Sequence, residues 1–232
     1  MDGSVSSSER SYKLLREEFD KRDDPWWEEL ATVIGAAHFV FPSEEPVTGS
    51  DGHQYVVAFF EGAQKGVIRS FEDATERALE SGVGIVVQEQ DGKTLCIFPY
   101  GTILSYKLYK EFYKLNPAEP PPSAEESEPI DVTVTVPEET FLPREARKAI
   151  AAFMREDLGI EVPLFLAVLG VETNVDPLLG FNIFPEDFAE EGEFDSAMSG
   201  LSWFLPSHYD LIVVTEDSAL GEAFTELEPL EH

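Results

Sequence analysis

The amino-acid sequence predicts an α+β protein of two small α/β sandwich domains, the second of them ferredoxin-like (βαββαβ). Three observations support this prediction. A proline-rich stretch interrupts the chain near its middle, helical and strand patterns alternate before it, and the order β-α-β-β-α-β follows it. The predicted organisation is a disordered N-terminus at 1–9, a first domain at 10–116, a Pro/Glu-rich linker at 117–129, a second domain at 130–227 and a tail resembling an expression-tag remnant at 228–232.

The linker is predicted from five prolines placed among Glu, Ser and Ala, namely Pro117, Pro120, Pro121, Pro122 and Pro129. Proline fixes φ and has no backbone donor, so such a segment is extended and stiff. It also contains a PxxP pattern, which a proline-reading domain could bind, although such matches are common by chance.

The first domain is predicted to open with a helix over 10–22, because Tyr12, Leu15 and Phe19 are spaced three and four residues apart. The second helix is "DDPWWEELATVIG", with Asp24 as its N-cap. The next elements are the strand "AAHFVFP", the loop "EEPVTGSDGHQ", the strand "QYVVAFFEG" and the helix "SFEDATERALESG".

The end of this domain contains a hairpin signal. In "VGIVVQEQDGKTLCIFP" two apolar runs flank Asp91-Gly92, which favours a type I′ turn. Ser70 is predicted to cap the preceding helix, and "TILSYKLYKEFYKL" is predicted to form the last one.

The second domain alternates in the same way. Pro143 begins its first helix and Gly159 ends it. The six predicted elements are "IDVTVTV", "LPREARKAIAAFMREDLG", "VPLFLAVLGVE", "LLGFNIFP", "FDSAMSGLSWFL" and "YDLIVVTE", followed by a short helix "SALGEAFTEL".

Charge excludes several classes of partner. The chain has 16 Lys+Arg against 46 Asp+Glu, a net charge of −30. Residues 1–116 contribute 12 − 20 = −8 and residues 117–232 contribute 4 − 26 = −22. Such a field repels nucleic-acid phosphates and anionic lipid, so neither is an expected partner, whereas cationic partners are favoured. The alternative is that the acidity only keeps the protein soluble.

The compartment is expected to be the cytoplasm. A single cysteine, Cys96, allows no internal disulfide, and the start "MDGSVSSSER" lacks a basic-then-apolar signal pattern. No apolar run approaches the ~20 residues that a membrane-spanning helix needs.

The arrangement of these elements resembles the bacterial enhanced-serine-sensitivity (SseB-like) family. The first domain resembles the N-terminal domain of that family through "DPWWEELATVIGAAHFVFP", "DGHQYVVAFFEG", "SFEDATERALESGVGIVVQ" and "KTLCIFPYG". The second resembles its C-terminal domain through "PLFLAVLG", "LLGFNIFP" and "HYDLIVVTEDSALGEAF". The resemblance implies a bacterial protein and assigns no catalytic, cofactor or metal residue.

Motifs that carry chemistry are absent from the sequence. The sequence contains neither a phosphate-binding loop nor a GxSxG nucleophile elbow. Cys96 is predicted to be a core residue, and the histidines lack the spacing of metal ligands. An acidic run at Glu186–Asp195 offers oxygen ligands to a hard cation, but a solvated helix N-terminus explains the same residues more simply. We therefore expect no catalytic residue, no cofactor and no bound small molecule.

One basic and aromatic stretch remains as a candidate interaction surface. Its tyrosines follow a helical spacing and its lysines interrupt them. Either the stripe packs on its own sheet with lysines covering the edges, or it contacts a protein partner or a second copy of the chain. The candidate residues are Tyr106, Lys107, Tyr109, Lys110, Tyr113 and Lys114.

The functional expectation is a non-enzymatic protein-interaction or regulatory module. Two alternatives stay open. One is a small-ligand sensor or enzyme that uses a cleft between the domains, and the other is an acid-rich, metal-responsive protein.

Overall fold

A computed structural model of the 232-residue chain describes residues 6–60, 65–113, 132–170 and 178–227. The fold is α+β, which confirms the predicted class. The contacts form two compact units, Met1–Lys114 with Trp203–Pro206 and Leu115–Ser202 with Ser207–His232. The linker at 117–129 and the tail at 228–232 lie outside the described residues.

The first unit contains four α-helices and six strands among its described residues. In chain order they are α1 (Ser7–Leu15), α2 (Asp24–Ile34), β1 (His38–Phe41), β2 (Val47–Thr48), β3 (Gln54–Phe60), β4 (Val67–Ser70), α3 (Phe71–Ser81), β5 (Gly84–Gln88), β6 (Thr94–Phe98) and α4 (Tyr100–Tyr109), with a 3₁₀ turn at Phe19–Lys21 between α1 and α2.

These strands form one mixed sheet in the order β4-β1-β3-β5-β6, with β2 paired to the start of β3. Among the described pairs, only β3 and β5 run parallel, because helix α3 provides the crossover between them. Strands β4 and β6 are the two edges of the described sheet. Neither β2 nor β4 appears in the sequence prediction, which placed a loop over β2 and assigned no element to Val67–Arg69.

The N-terminal region differs from the prediction in two ways. Residues 6–9, predicted to be disordered, begin α1, and the Ser6 side chain accepts a hydrogen bond from the Glu9 N–H at 3.2 Å. The helix ends at Leu15 instead of continuing to residue 22. The extended backbone of Glu18 (φ −60°, ψ 144°) interrupts the helix predicted over 10–22, and Asp23, not Asp24, caps α2.

The β5–β6 hairpin is confirmed, but the predicted type I′ turn is wrong. Gly92 has φ +86°, whereas Asp91 does not have the positive φ that the type I′ turn requires there. The Gly92 N–H donates to the Glu89 carbonyl at 2.9 Å, and the Glu89 N–H donates to the Lys93 carbonyl at 2.8 Å. This is a type I turn that ends in one left-handed glycine.

Aromatic side chains fill the core of the first unit. Phe71, the first residue of α3, packs edge-on against Phe98 of β6 at 5.1 Å and Tyr106 of α4 at 5.6 Å. Phe112 is 1% exposed and stacks on Tyr106 at 5.0 Å. Ser70 caps α3 as predicted, accepting from the Asp73 N–H at 3.1 Å.

Trp203–Pro206 belongs to the first unit, whereas the sequence placed this segment in the second domain. The Gly101 N–H donates to the Trp203 carbonyl at 2.9 Å, and a Cβ on Gly101 would lie 1.9 Å from the Leu205 carbonyl oxygen. Only glycine permits so close an approach of two backbones.

The second unit contains a three-stranded sheet in the order β7-β8-β9, with both pairs antiparallel. Its elements are β7 (Val132–Thr135), α5 (Arg144–Glu156), β8 (Phe165–Gly170), β9 (Leu178–Phe181), α6 (Glu191–Ser202) and α7 (Ala219–Phe224), with a 3₁₀ turn at Pro185–Asp187.

The ferredoxin-like order predicted for this unit is not confirmed. The split βαβ arrangement places another strand between the first two, yet β7 pairs directly with β8. The predicted strand "YDLIVVTE" is reduced to one bridge between Leu179 and Leu211. Within that run Val214 is 2% exposed and packs in the core, whereas Val213 is 53% exposed.

Each helix that the structure describes is too short or too polar to span a lipid bilayer.

Candidate functional site

The stretch predicted as an interaction surface does not form one helical stripe. Helix α4 ends at Tyr109, not at residue 115, because Lys110 adopts a left-handed conformation (φ 59°). The chain then reverses, and Phe112 packs against Tyr106. Tyr106 is 4% exposed, and burial raises its pKa. Lys114 lies outside the described residues.

The two described lysines of that stretch bind helix α3. Lys107 Nζ contacts the Glu76 carboxylate, and Lys110 Nζ lies 2.6 Å from Glu72 Oε1. The Lys110 hydrogen bond and charge lower the pKa of Glu72. Both lysines therefore cover an edge of their own unit, in line with the packing alternative. Tyr109 is half-buried beside them.

Tyr113, another member of the predicted set, lines a groove. It is 38% exposed, and its ring packs edge-on against Trp27 of α2 at 4.8 Å. Burial raises the pKa of its phenol, and a hydrogen bond with Thr102 partly offsets the rise.

The groove runs beside edge strand β6 and has a volume of about 450 Å³. That volume is within the range of binding sites for drug-sized molecules and short peptide segments. We call it the β6 groove, and its lining residues are Leu15, Arg16, Glu17, Glu18, Phe19, Arg22, Trp27, Lys93, Thr94, Leu95, Cys96, Ile97 and Tyr113.

Three large apolar side chains in the β6 groove are unusually exposed. Phe19 is 81% exposed and Ile97 is 49% exposed, in addition to Tyr113. Scattered exposed apolar residues are ordinary, but a contiguous set around one concavity marks a binding surface.

Arg22 explains why Phe19 points into solvent. The Arg22 Nη2 donates to the carbonyl oxygens of Leu15 at 2.8 Å, Glu17 at 3.0 Å and Leu95 at 2.9 Å. It thereby satisfies carbonyls at the end of α1 and on the outer side of β6, and fixes the turn that carries Phe19. Sequence reasoning missed both residues. Helical periodicity carries no signal for either, because Arg22 binds carbonyls from two elements that are distant in the sequence.

Charges of both signs line the β6 groove. Glu17 and Glu18 precede Phe19, and Glu18 lies 2.8 Å from Lys21. Three cations also line the groove: Arg16 lies 3.0 Å from Glu89, Arg22 is bound to carbonyl groups, and Lys93 stands at the β5–β6 turn. The groove therefore combines exposed apolar side chains with charges of both signs.

Cys96 lines the β6 groove but is not a reactive thiol. It is 6% exposed, and burial raises its pKa to about 12 despite the nearby Arg22 charge. The thiolate is the reactive form, so this residue contributes packing and no nucleophile at neutral pH.

The acidic run Glu186–Asp195 is distributed over a 3₁₀ turn and the start of α6. Glu193 Oε2 accepts a hydrogen bond from the Ala189 N–H at 3.2 Å, which is a contact typical of a helix N-terminus. In the described part of the chain, no group of three or more His, Cys, Asp or Glu side chains is placed to hold a metal ion.

A second polar cluster lies around Tyr55 of β3. Trp203 Nε1 donates to Tyr55 Oη at 3.0 Å, and Tyr55 Oη donates to Asp51 Oδ2 at 2.5 Å. His53 stacks on Trp203 at 4.2 Å. Burial and the Asp51 hydrogen bond raise the pKa of Tyr55 to about 12, so the phenol remains protonated. This cluster anchors Trp203 through a fixed chain of donors.

No known protein family, no curated protein and no solved structure matches this chain. The SseB-like resemblance therefore stays a prediction.

Proposed function

We propose that this protein is a non-enzymatic, SseB-like bacterial protein of the cytoplasm that acts as a protein-interaction module, and that the β6 groove is its binding surface. The observation that carries the proposal is the joint exposure of Phe19, Ile97 and Tyr113 around one concavity. Burying a side chain of this size contributes about 1.5–3 kcal/mol, so three of them provide a useful affinity.

The occupant is an extended peptide segment with large apolar side chains flanked by Lys or Arg. Aromatic and aliphatic groups supply the floor of the β6 groove, which is the common basis for binding extended segments. The net charge of −30 favours a cationic partner and speeds the encounter with it. The same net charge opposes a second copy of this chain as the occupant.

The test begins with a displayed library of random short peptides selected on the intact protein. Enriched peptides should combine large apolar residues with Lys or Arg. The affinity of one synthetic enriched peptide is then measured by fluorescence anisotropy on wild-type protein and on Phe19→Ser, which should weaken binding at least about tenfold. Phe19 is exposed, so its loss should leave the fold intact.

A matched pair of isoleucines controls this experiment. Ile97 on edge strand β6 and Ile68 on edge strand β4 are 49% and 52% exposed, respectively. Ile97→Thr should weaken peptide binding, whereas Ile68→Thr should not. Equal affinity of both variants for every enriched peptide, or enrichment of acidic peptides, would exclude the β6 groove as the binding surface.

A further inference from the structure

A second cavity lies on the opposite side of the first unit from β6. It has a volume of about 180 Å³ and is bordered by β4, helix α3 and the segment that follows β1. Apolar side chains that include Phe41, Val56 and Val83 form its floor. The volume corresponds to about six water molecules at ~30 Å³ each, which limits a ligand to a small molecule.

Two arginines and one glutamate stand at the same cavity. Arg69 Nη2 contacts Glu44 Oε1, and Arg77 Nη1 lies 3.9 Å from the same oxygen. The two arginines therefore share the single carboxylate of Glu44, so these three side chains together carry a net charge of +1. A cationic pair beside an apolar floor is unexpected in a chain with 16 basic residues against 46 acidic ones.

The three side chains differ in how firmly they are held. Arg69 is 18% exposed and lies on β4, where its position is fixed by pairing with Phe39 of β1. The Glu44 side chain is 58% exposed and comes from the segment between β1 and β2. Because the Glu44 side of this ion pair lies in solvent, a ligand carboxylate can replace that of Glu44 at little cost.

We propose that this cavity binds a small apolar carboxylate, with the ligand carboxylate on Arg69 and Arg77 and its apolar body on the floor, and that Glu44 is a built-in competitor for the same arginines. Arginine is suited to this role because its guanidinium binds carboxylates through paired donors. The apolar floor disfavours a fully hydrated anion such as inorganic phosphate. The hydrogen bond and charge of Arg69 lower the pKa of Glu44, so the competitor stays ionised at neutral pH.

This inference is independent of the proposed peptide-binding function. The two sites share no lining residue, because the β6 groove and this cavity draw on different strands. Either proposal can fail without affecting the other.

The probe is benzoate, titrated into the isotope-labelled intact protein and followed by amide chemical shifts. We expect saturable shifts around Arg69 and Arg77 at millimolar benzoate. Benzamide, which has the same shape without the charge, should bind several-fold more weakly, and inorganic phosphate should not compete. Equal binding of benzoate and benzamide, competition by phosphate, or the absence of saturable shifts would overturn the proposal.

Charge-neutral variants test the competitor role. Glu44→Gln should raise the affinity for benzoate several-fold, whereas Glu45→Gln, a change at the neighbouring exposed acid, should leave it unchanged. Arg77 is 60% exposed, so Arg77→Gln should weaken binding without disturbing the fold. Unchanged affinity in Glu44→Gln, or equal gains in the Glu44 and Glu45 variants, would show that Glu44 does not compete at the site.

Discussion

Tyr55 links two polar side chains of the first unit, and its removal tests what that link contributes. In Tyr55→Phe, Trp203 Nε1 loses its described acceptor and Asp51 loses a 2.5 Å donor. We expect the free energy of unfolding of this unit to fall by about 1–3 kcal/mol at pH 7, because buried donors without partners are costly. Urea unfolding of wild type and variant measures the difference.

The pH dependence of that difference has a definite sign. Burial alone would raise the pKa of Asp51, but the hydrogen bonds from Tyr55 and from the His53 N–H lower it below its ordinary value of 3.8. A lowered pKa in the folded state stabilises the protein above that ordinary value, and the contribution is lost as pH falls through the folded pKa. The gap between wild type and Tyr55→Phe should therefore narrow under acid conditions. A gap that widens as the pH falls would contradict this assignment.

A second tyrosine–carboxylate pair serves as the control. Tyr12 Oη donates to Glu89 Oε1 at 3.2 Å in a half-buried position. Because this bond is longer and closer to solvent than that of Tyr55, Tyr12→Phe should cost less stability. Equal losses of unfolding free energy in the two variants would show that the hydrogen bonds of Tyr55 contribute no more to stability than that of Tyr12.

Phe19 shows the limit of predicting the burial of a single residue from the sequence. Its spacing from Tyr12 and Leu15 fits a helical face, so periodicity alone predicts burial. Its exposure depends on Arg22, which binds carbonyls from two elements that are distant in the sequence. A local pattern does not contain this contact. Cys96, by contrast, was predictable as a core residue because its strand neighbours are apolar on both sides.

At the scale of the element, the β5–β6 turn gives the clearest prediction. Gly92 has φ +86°, and a Cβ there would meet no atom within 4 Å. Gly92→Ala therefore tests backbone strain without a steric clash, and it should destabilise the first unit by about 1–2 kcal/mol because L-residues disfavour the left-handed region. Thermal unfolding should show a lower midpoint.

Gly192 in helix α6 provides the matched control. A Cβ at this position would also meet no atom within 4 Å, but the φ of Gly192 is not positive. Gly192→Ala should stabilise its helix by up to about 1 kcal/mol, since alanine is the better helix former. Opposite signs for the two glycines would confirm the turn assignment, whereas equal stabilisation would contradict it.

Elements with strong local signals were predicted, and elements that depend on distant partners were not. The hairpin, helix α3 with its Ser70 cap and helix α5 all appear in the structure. Strand β4 was missed because Val67–Ser70 is short and gains its partners only from β1. The prediction for helix α4 was too long because the chain turns after Tyr109 and Phe112 packs on Tyr106. Helical periodicity does not reveal this contact.

At the scale of the whole molecule, repulsion among like charges outweighs the described ion pairs. The net charge is −30, whereas surface pairs such as Arg10–Glu29 and Lys21–Glu18 contribute about 0–1 kcal/mol each. Salt weakens both effects. Because repulsion is the larger, added salt should stabilise the folded state.

Salt dependence of stability also distinguishes general screening of the negative charge from specific binding of a metal ion. The screening length falls from about 30 Å at 0.01 M to about 10 Å at 0.1 M salt, so the unfolding midpoint should rise over this range of NaCl concentration and then level off. CaCl₂ and MgCl₂ at equal concentration should stabilise the protein equally, since both screen charge in the same way. A specific calcium site would add about 2.7 kcal/mol at a hundred times its dissociation constant, which magnesium would not reproduce. That extra stabilisation would favour the metal-responsive alternative over the interaction module, and a midpoint that falls with NaCl would show that the surface ion pairs dominate.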